Sequence, residues 1–81
     1  MEGKKIKKPN YNLRLERLRE QLAHRQLDAF LISSPANCFY LSGFEGSKAY
    51  LLVSAHSSFL LTDFRYLEQA GIQAPHMELV T

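Results

Sequence analysis

The residues of this chain that could do chemistry are three histidines, one cysteine, a loop bracketed by glycines and one carboxylate–guanidinium pair. His24, His56 and His76 lie far apart in sequence. They form no His-x-x-x-His pair and have no cysteine at ligand spacing, so each reads as a surface or cap histidine rather than a metal ligand. Nucleophilic work by Cys38 would need a base and an electropositive pocket beside it. Neither is visible, and the residue reads as a small, partly buried side chain packing beside Phe39. Gly43-Phe-Glu-Gly-Ser-Lys48 has two residues between its glycines where a phosphate loop needs four, and Ser47 precedes Lys48 rather than following it. The segment after it is strand-like, whereas a phosphate cradle needs a helix N-terminus behind it. Asp63 and Arg65 are two apart, so in an extended segment they point to one face and can pair. The pair reads as the fastening of a corner between a strand and a helix.

The elements that must position these residues follow from the apolar periodicity. Leu15, Leu18, Leu22 and Ala23 recur at spacings of three and four and predict an amphipathic helix. Asn12 is its expected cap, Glu16 and Arg19 its expected surface pair, and His24 and Arg25 suit the negative pole at its end. Leu27 to Ile32 reads as a strand buried on both faces, because its apolar residues run consecutively. Pro35 stops it, and Ser34 or Asn37 starts a short helical turn carrying Phe39, Tyr40 and Leu41. Ala49–Val53 and Ser58–Thr62 are the next strands, and the short turn at Ala55–Ser57 predicts an antiparallel hairpin. Arg65 to Ala70 has helical spacing with Leu67 and Ala70 inward, and Gly71 is expected to end it in the left-handed conformation. Met77–Val80 reads as a fourth strand.

Composition bounds the rest. The chain has 81 residues with 46% apolar content, which suits one small globular domain and excludes a disordered chain. A net charge of +2 is too small to imply nucleic acid. Residues 1–10, with four lysines and an isolated Ile6, read as a flexible basic tail. One cysteine permits no internal disulfide, no apolar run reaches membrane length, and the basic start lacks the apolar segment of a secretory signal. A cytoplasmic protein with no nucleic-acid or membrane partner is the resulting expectation.

The order of short motifs adds a resemblance. Arg14-Leu-Glu-Arg-Leu-Arg19, Leu27-Asp-Ala29, Pro35-Ala-Asn37, Tyr40-Leu-Ser-Gly-Phe44, Gly46-Ser47, Leu51-Leu-Val53, Thr62-Asp-Phe-Arg-Tyr66 and Glu68-Gln-Ala70 follow one another along residues 12 to 81. This series resembles the N-terminal domain of the aminopeptidase P, prolidase and creatinase metallopeptidases, with the nearest likeness to bacterial Xaa-Pro aminopeptidases or dipeptidases. The resemblance implies an α/β fold, a mixed β-sheet flanked by helices, truncated here relative to the family. Residues 11–81 would be part of that domain, and the catalytic pita-bread domain would lie outside the chain. It also implies two divalent metals, manganese, cobalt or zinc, in that missing domain, where they activate a water against the bond before proline. Asp28 and Asp63 belong to N-terminal motifs rather than to that ligand set, so no catalytic or metal residue falls within these residues.

What the resemblance assigns to the present chain is support. Such domains assist oligomer formation and border the substrate pocket, with proline-containing peptides as the parent's substrate. Phe44, Glu45, Gly46, Ser47, Lys48 and Arg65 are the candidate pocket or interface residues. Asn37, Tyr40, Gly43, Asp63 and Tyr66 are candidate structural positions of the motifs. The expected partners are the parent's own catalytic domain and a second subunit, and the chain alone should be inactive. Aminopeptidase, dipeptidase and creatinase activities of the parent stay open. The alternative is a free-standing interaction module that kept the fold without the peptidase, with its last strand exposed as a pairing edge.

Overall fold

The computed structural model describes residues 9–46 and 48–81; the basic tail expected over residues 1–10 falls almost wholly outside them. The first helix, α1 (Tyr11–Arg25), presents Leu15 and Leu22 to the interior and leaves Leu18 half-buried. Ala23, expected on the same stripe, is exposed. The cap is Asn10 and not Asn12: its side-chain oxygen accepts from the Leu13 amide at 3.0 Å, satisfying one of the free donors of the first turn. The helix ends on Gln26 in the left-handed conformation, with the Leu27 amide donating to the Leu22 carbonyl at 2.9 Å.

Four strands form one sheet in the order β1 (Ala29–Ile32), β2 (Ala49–Ser54), β3 (Ser58–Thr62), β4 (Glu78–Val80). The β2–β3 hairpin is antiparallel as its short turn demands. β1 also runs antiparallel to β2, whereas β4 runs parallel to β3, so the sheet is mixed. The expectation that the first strand is buried on both faces is wrong. β1 is an edge strand whose residues alternate between exposed and half-buried, and Leu27 and Leu31 lie in solvent. Consecutive apolar residues signal burial only where both faces are covered, and no described residue covers the second face here.

α2 (Pro35–Ser42) starts where Ser34 caps it, with Pro35 in the first turn, where its missing amide costs nothing. A 3₁₀ turn (Phe64–Tyr66) leads into α3 (Leu67–Gln73). Gly71 does not end α3; it sits inside the helix, which closes when the Ala74 amide donates to the Ala70 carbonyl. The three helices pack on one side of the sheet. There Leu15, Cys38, Leu41, Phe44, Ala70, Ala74 and Met77 meet Ala49, Leu51, Val53 and Leu60 in a single core. Among the described residues no helix is long and apolar enough to cross a membrane.

Candidate functional site

Two motifs that are separate in sequence meet at one end of the sheet. The first is the loop that leaves α2. Gly43 ends that helix at φ 83° with its amide donating to the Phe39 carbonyl at 2.8 Å. Only glycine suits this point, because a Cβ would lie 2.8 Å from the Tyr11 hydroxyl as well as forcing an unfavourable φ. Ser42, buried, donates its hydroxyl to the Cys38 carbonyl at 2.6 Å and accepts from the Phe44 amide at 3.1 Å. These bonds turn Phe44 into the core, where its ring meets Tyr66 edge-on at 6.5 Å. The chain then folds back over that ring, and a Cβ on Gly46 would sit 2.0 Å from Phe44 Cε2. Between them the Glu45 amide donates to Gln73 Oε1 at 2.9 Å while its side chain faces solvent. Ser47 lies outside the described residues.

The second motif is the corner after β3. Asp63 caps the 3₁₀ turn: Oδ1 accepts from the Arg65 amide at 3.0 Å and Oδ2 pairs with the Arg65 guanidinium at 3.1 Å. The expected pair is therefore present, but it is built by capping rather than by two residues on one face of a strand. The guanidinium holds the Asp63 carboxyl below the usual carboxylate range, and Lys48 adds to this from across the sheet end. Thr62 joins the two motifs by donating its hydroxyl to the Lys48 carbonyl at 2.9 Å. Lys48, Tyr50, Leu61 and Asp63 thus line an open groove of about 570 Å³. Phe64 stands beside it, largely exposed.

The remaining motif residues make contacts within the fold. Tyr40 carries the Arg14 guanidinium 4.0 Å from its ring centre, and its carbonyl accepts from Arg14 at 2.6 Å, which fastens α1 to α2. The Asn37 amide donates to the Ser34 cap at 3.4 Å. Cys38 is fully buried in the core rather than partly buried, Phe39 points outward, and burial pushes the thiol pKa up. A thiol so placed is a packing residue, not a nucleophile. The described residues contain no group of three or more His, Cys, Asp or Glu side chains that could hold a metal. The resemblance places its divalent metals in the parent's catalytic domain and not among these residues. The arrangement presents Glu45, Lys48, Phe64 and Arg65 to solvent from a fixed base. Thr62 and Ser42 lie within the quoted motifs and Gln73 does not; the hydrogen bonds of all three leave no sequence trace beyond a polar residue.

Residues 14–81 match the family described as the creatinase/prolidase N-terminal domain. The chain belongs to that family. A creatinase/prolidase N-terminal domain of this kind has relatives at useful identity. The uncharacterized peptidase YqhT of Bacillus subtilis is 37% identical over 68 residues, which is 84% of this chain and 19% of that protein. The N-terminal domain of the cytoplasmic peptidase PepQ from Mycobacterium tuberculosis H37Rv is 47% identical with a TM-score of 0.80, covering 84% of this chain and 54% of that one. The Xaa-Pro dipeptidase from Bacillus anthracis is 34% identical with a TM-score of 0.83, covering 88% of this chain and 20% of that enzyme. The chain therefore spans about a fifth of the curated relative it matches. The mixed sheet with its helices is the fold shared with these solved domains.

Proposed function

We propose that this chain serves as the non-catalytic N-terminal domain of a cytoplasmic Xaa-Pro metallopeptidase, an aminopeptidase or dipeptidase. Residues 11–81 form part of that domain, and the catalytic domain with its two divalent metals is a separate unit of the parent. The observation that carries the reading is the meeting of the Gly43–Lys48 loop with the Asp63–Arg65 corner, in a chain whose family membership spans both. In this reading Phe44 and Gly46 fix the backbone, while Glu45, Lys48 and Arg65 border the substrate pocket and the contact with a second subunit. Such placement orients a peptide without touching the scissile bond, and orientation by itself is worth a large share of a barrier.

Two measurements test it. The chain incubated with an Xaa-Pro peptide and manganese should give no turnover, and hydrolysis by a preparation free of other peptidases would refute the non-catalytic role. In a full-length peptidase carrying this domain, alanine at Glu45 and Lys48 should change KM or kcat several-fold. Unchanged constants would remove the pocket-bordering role while leaving the domain assignment in place. A second reading, a free-standing interaction module, is favoured by one observation: an apolar sheet face that no described element covers.

A further inference from the structure

On the helical side of the sheet, α1 and α2 leave a groove of about 450 Å³ between them beside β1. Its floor is apolar, made by Leu18 of α1, Leu41 of α2 and Ile32 of β1. Tyr40, half exposed, walls it along α2. Arg14 and Arg17 stand on the α1 rim, three residues apart and so neighbours on the helix surface. No Asp or Glu lines the groove. Helical spacing puts Glu16 and Glu20 on another flank of α1, where Glu16 is engaged by Arg19 at 2.9 Å. The two rim cations differ in their state. The Arg14 guanidinium is held 4.0 Å from the Tyr40 ring centre and donates once, to the Tyr40 carbonyl at 2.6 Å, leaving its other donors unspent. Arg17 is exposed, and the ion pairs among the described residues are Arg19–Glu16 and Arg65–Asp63, so it has no acidic partner there. Both walls are described helices, and β4 with Thr81 lies at the opposite edge of the sheet. The groove shares no lining residue with the Gly43–Lys48 loop or the Asp63–Arg65 corner.

We propose that this groove docks an extended peptide segment in which acidic and apolar residues alternate. Charge complementarity selects the acidic residues: two guanidinium groups on one rim, with no carboxylate beside them, favour anions. The planar fork of arginine suits a carboxylate in particular. The apolar floor selects the residues between them. In an extended chain successive side chains point to opposite sides, so carboxylates turned to α1 leave the intervening apolar side chains for the floor and Tyr40. Residues two apart on a strand are about 7 Å apart, and Arg14 and Arg17 are separated by about 5–6 Å at Cβ, a mismatch that their long side chains absorb. Nucleic acid fits less well. Two cations are few for phosphate binding, and Arg14 already occupies a face of Tyr40, the groove's aromatic residue, where a base would stack. A contact of this size is weak and salt-dependent. The docking is independent of the peptidase reading.

Titration with the blocked peptide Leu-Asp-Leu-Asp-Leu, followed by amide shifts of the 81-residue chain, tests it. Saturable shifts should map to Arg14–Gln21, Ile32 and Asn37–Leu41. Arg17→Glu, at an exposed position where the fold is not at risk, should weaken binding at least about tenfold. Arg25→Glu makes the same charge change on α1 outside the groove and should leave binding nearly unchanged. The counterpart Leu-Lys-Leu-Lys-Leu should not bind. The same probe, carrying a fluorophore, should bind a full-length protein that contains this domain, again with loss on Arg17→Glu. Absence of binding to the 81-residue chain overturns the proposal, and so do shifts that map elsewhere. Equal effects of Arg17→Glu and Arg25→Glu would reduce the attraction to net charge and overturn it as well. Equal binding of the lysine peptide, or preference for a short oligouridylate, has the same consequence. Binding to the 81-residue chain that vanishes in the full-length protein would show the groove to be covered there, and would also overturn it.

Discussion

Gly46 lies with its backbone against the Phe44 ring, and the position an added Cβ would occupy is 2.0 Å from a ring carbon. Phe44 cannot yield easily, because it is fully buried and braced by Tyr66. Gly46→Ala should therefore destabilise the fold by about 1–3 kcal/mol, the usual cost of overpacking, as read from urea unfolding. Asp63 makes a different kind of prediction. Its carboxyl is held down first by the Arg65 guanidinium and then by the Arg65 amide. A depressed folded pKa contributes stability that is present above the unfolded carboxylate pKa and lost as pH falls through the folded one. An NMR titration should place the Asp63 midpoint below the usual carboxylate value, and Arg65→Ala should raise it. Because the pair is exposed, its removal should barely change the unfolding midpoint at neutral pH. The motif Asp63-Phe-Arg65 was legible in sequence as a pair, but the capping geometry was not, because two-residue spacing fits a strand as well as a turn.

Among the elements, α1 is joined to the hairpin by one side chain. Arg19 donates to the Ser54 carbonyl at 2.8 Å, to the Ser58 hydroxyl and to Glu16 at 2.9 Å. It closes the turn end of the hairpin onto the helix, and the side chain is only 19% exposed. The Glu16 pair was foreseen from its spacing, and as an exposed contact it contributes little. The bonds to Ser54 and Ser58 are the larger part, since a guanidinium bonded to protein acceptors out of water is worth about 1.5–3 kcal/mol. Arg19→Ala should lower stability by that order in thermal or urea unfolding, whereas Glu16→Ala should lower it by less than about 0.5 kcal/mol. If the two variants cost the same, the helix–hairpin tie is not what Arg19 provides. Periodicity made α1 and the hairpin legible, yet the long-range bonds between them left no local mark.

At the scale of the whole molecule, one small core on one side of a sheet holds the chain together. A domain of this length buries only about 60% of its unfolded surface and has little stability in reserve. Cys38 offers a probe of that reserve. Its sulfur is buried in the core and its thiol pKa is raised by desolvation. Alkylation at neutral pH should be slow in the native chain and should proceed at the rate of opening. Labelling as fast as that of a free thiol would show that the core does not persist in solution.

By itself, the sequence determined the local elements and the family. Apolar spacing marks α1 and the hairpin, Pro35 and Gly43 bound α2, and the ordered motifs from Arg14 to Ala70 carry the family signature. These are short-range properties, written in neighbours three, four or two residues apart. Only the tertiary structure decided that β1 is an edge, that Cys38 is fully enclosed, and that the Gly43–Lys48 loop meets the Asp63–Arg65 corner through Thr62. It also decided which sheet face the described helices cover. The physical reason is the same in each case. Burial depends on what lies across the sheet, and a strand's own residues do not record whether anything lies there.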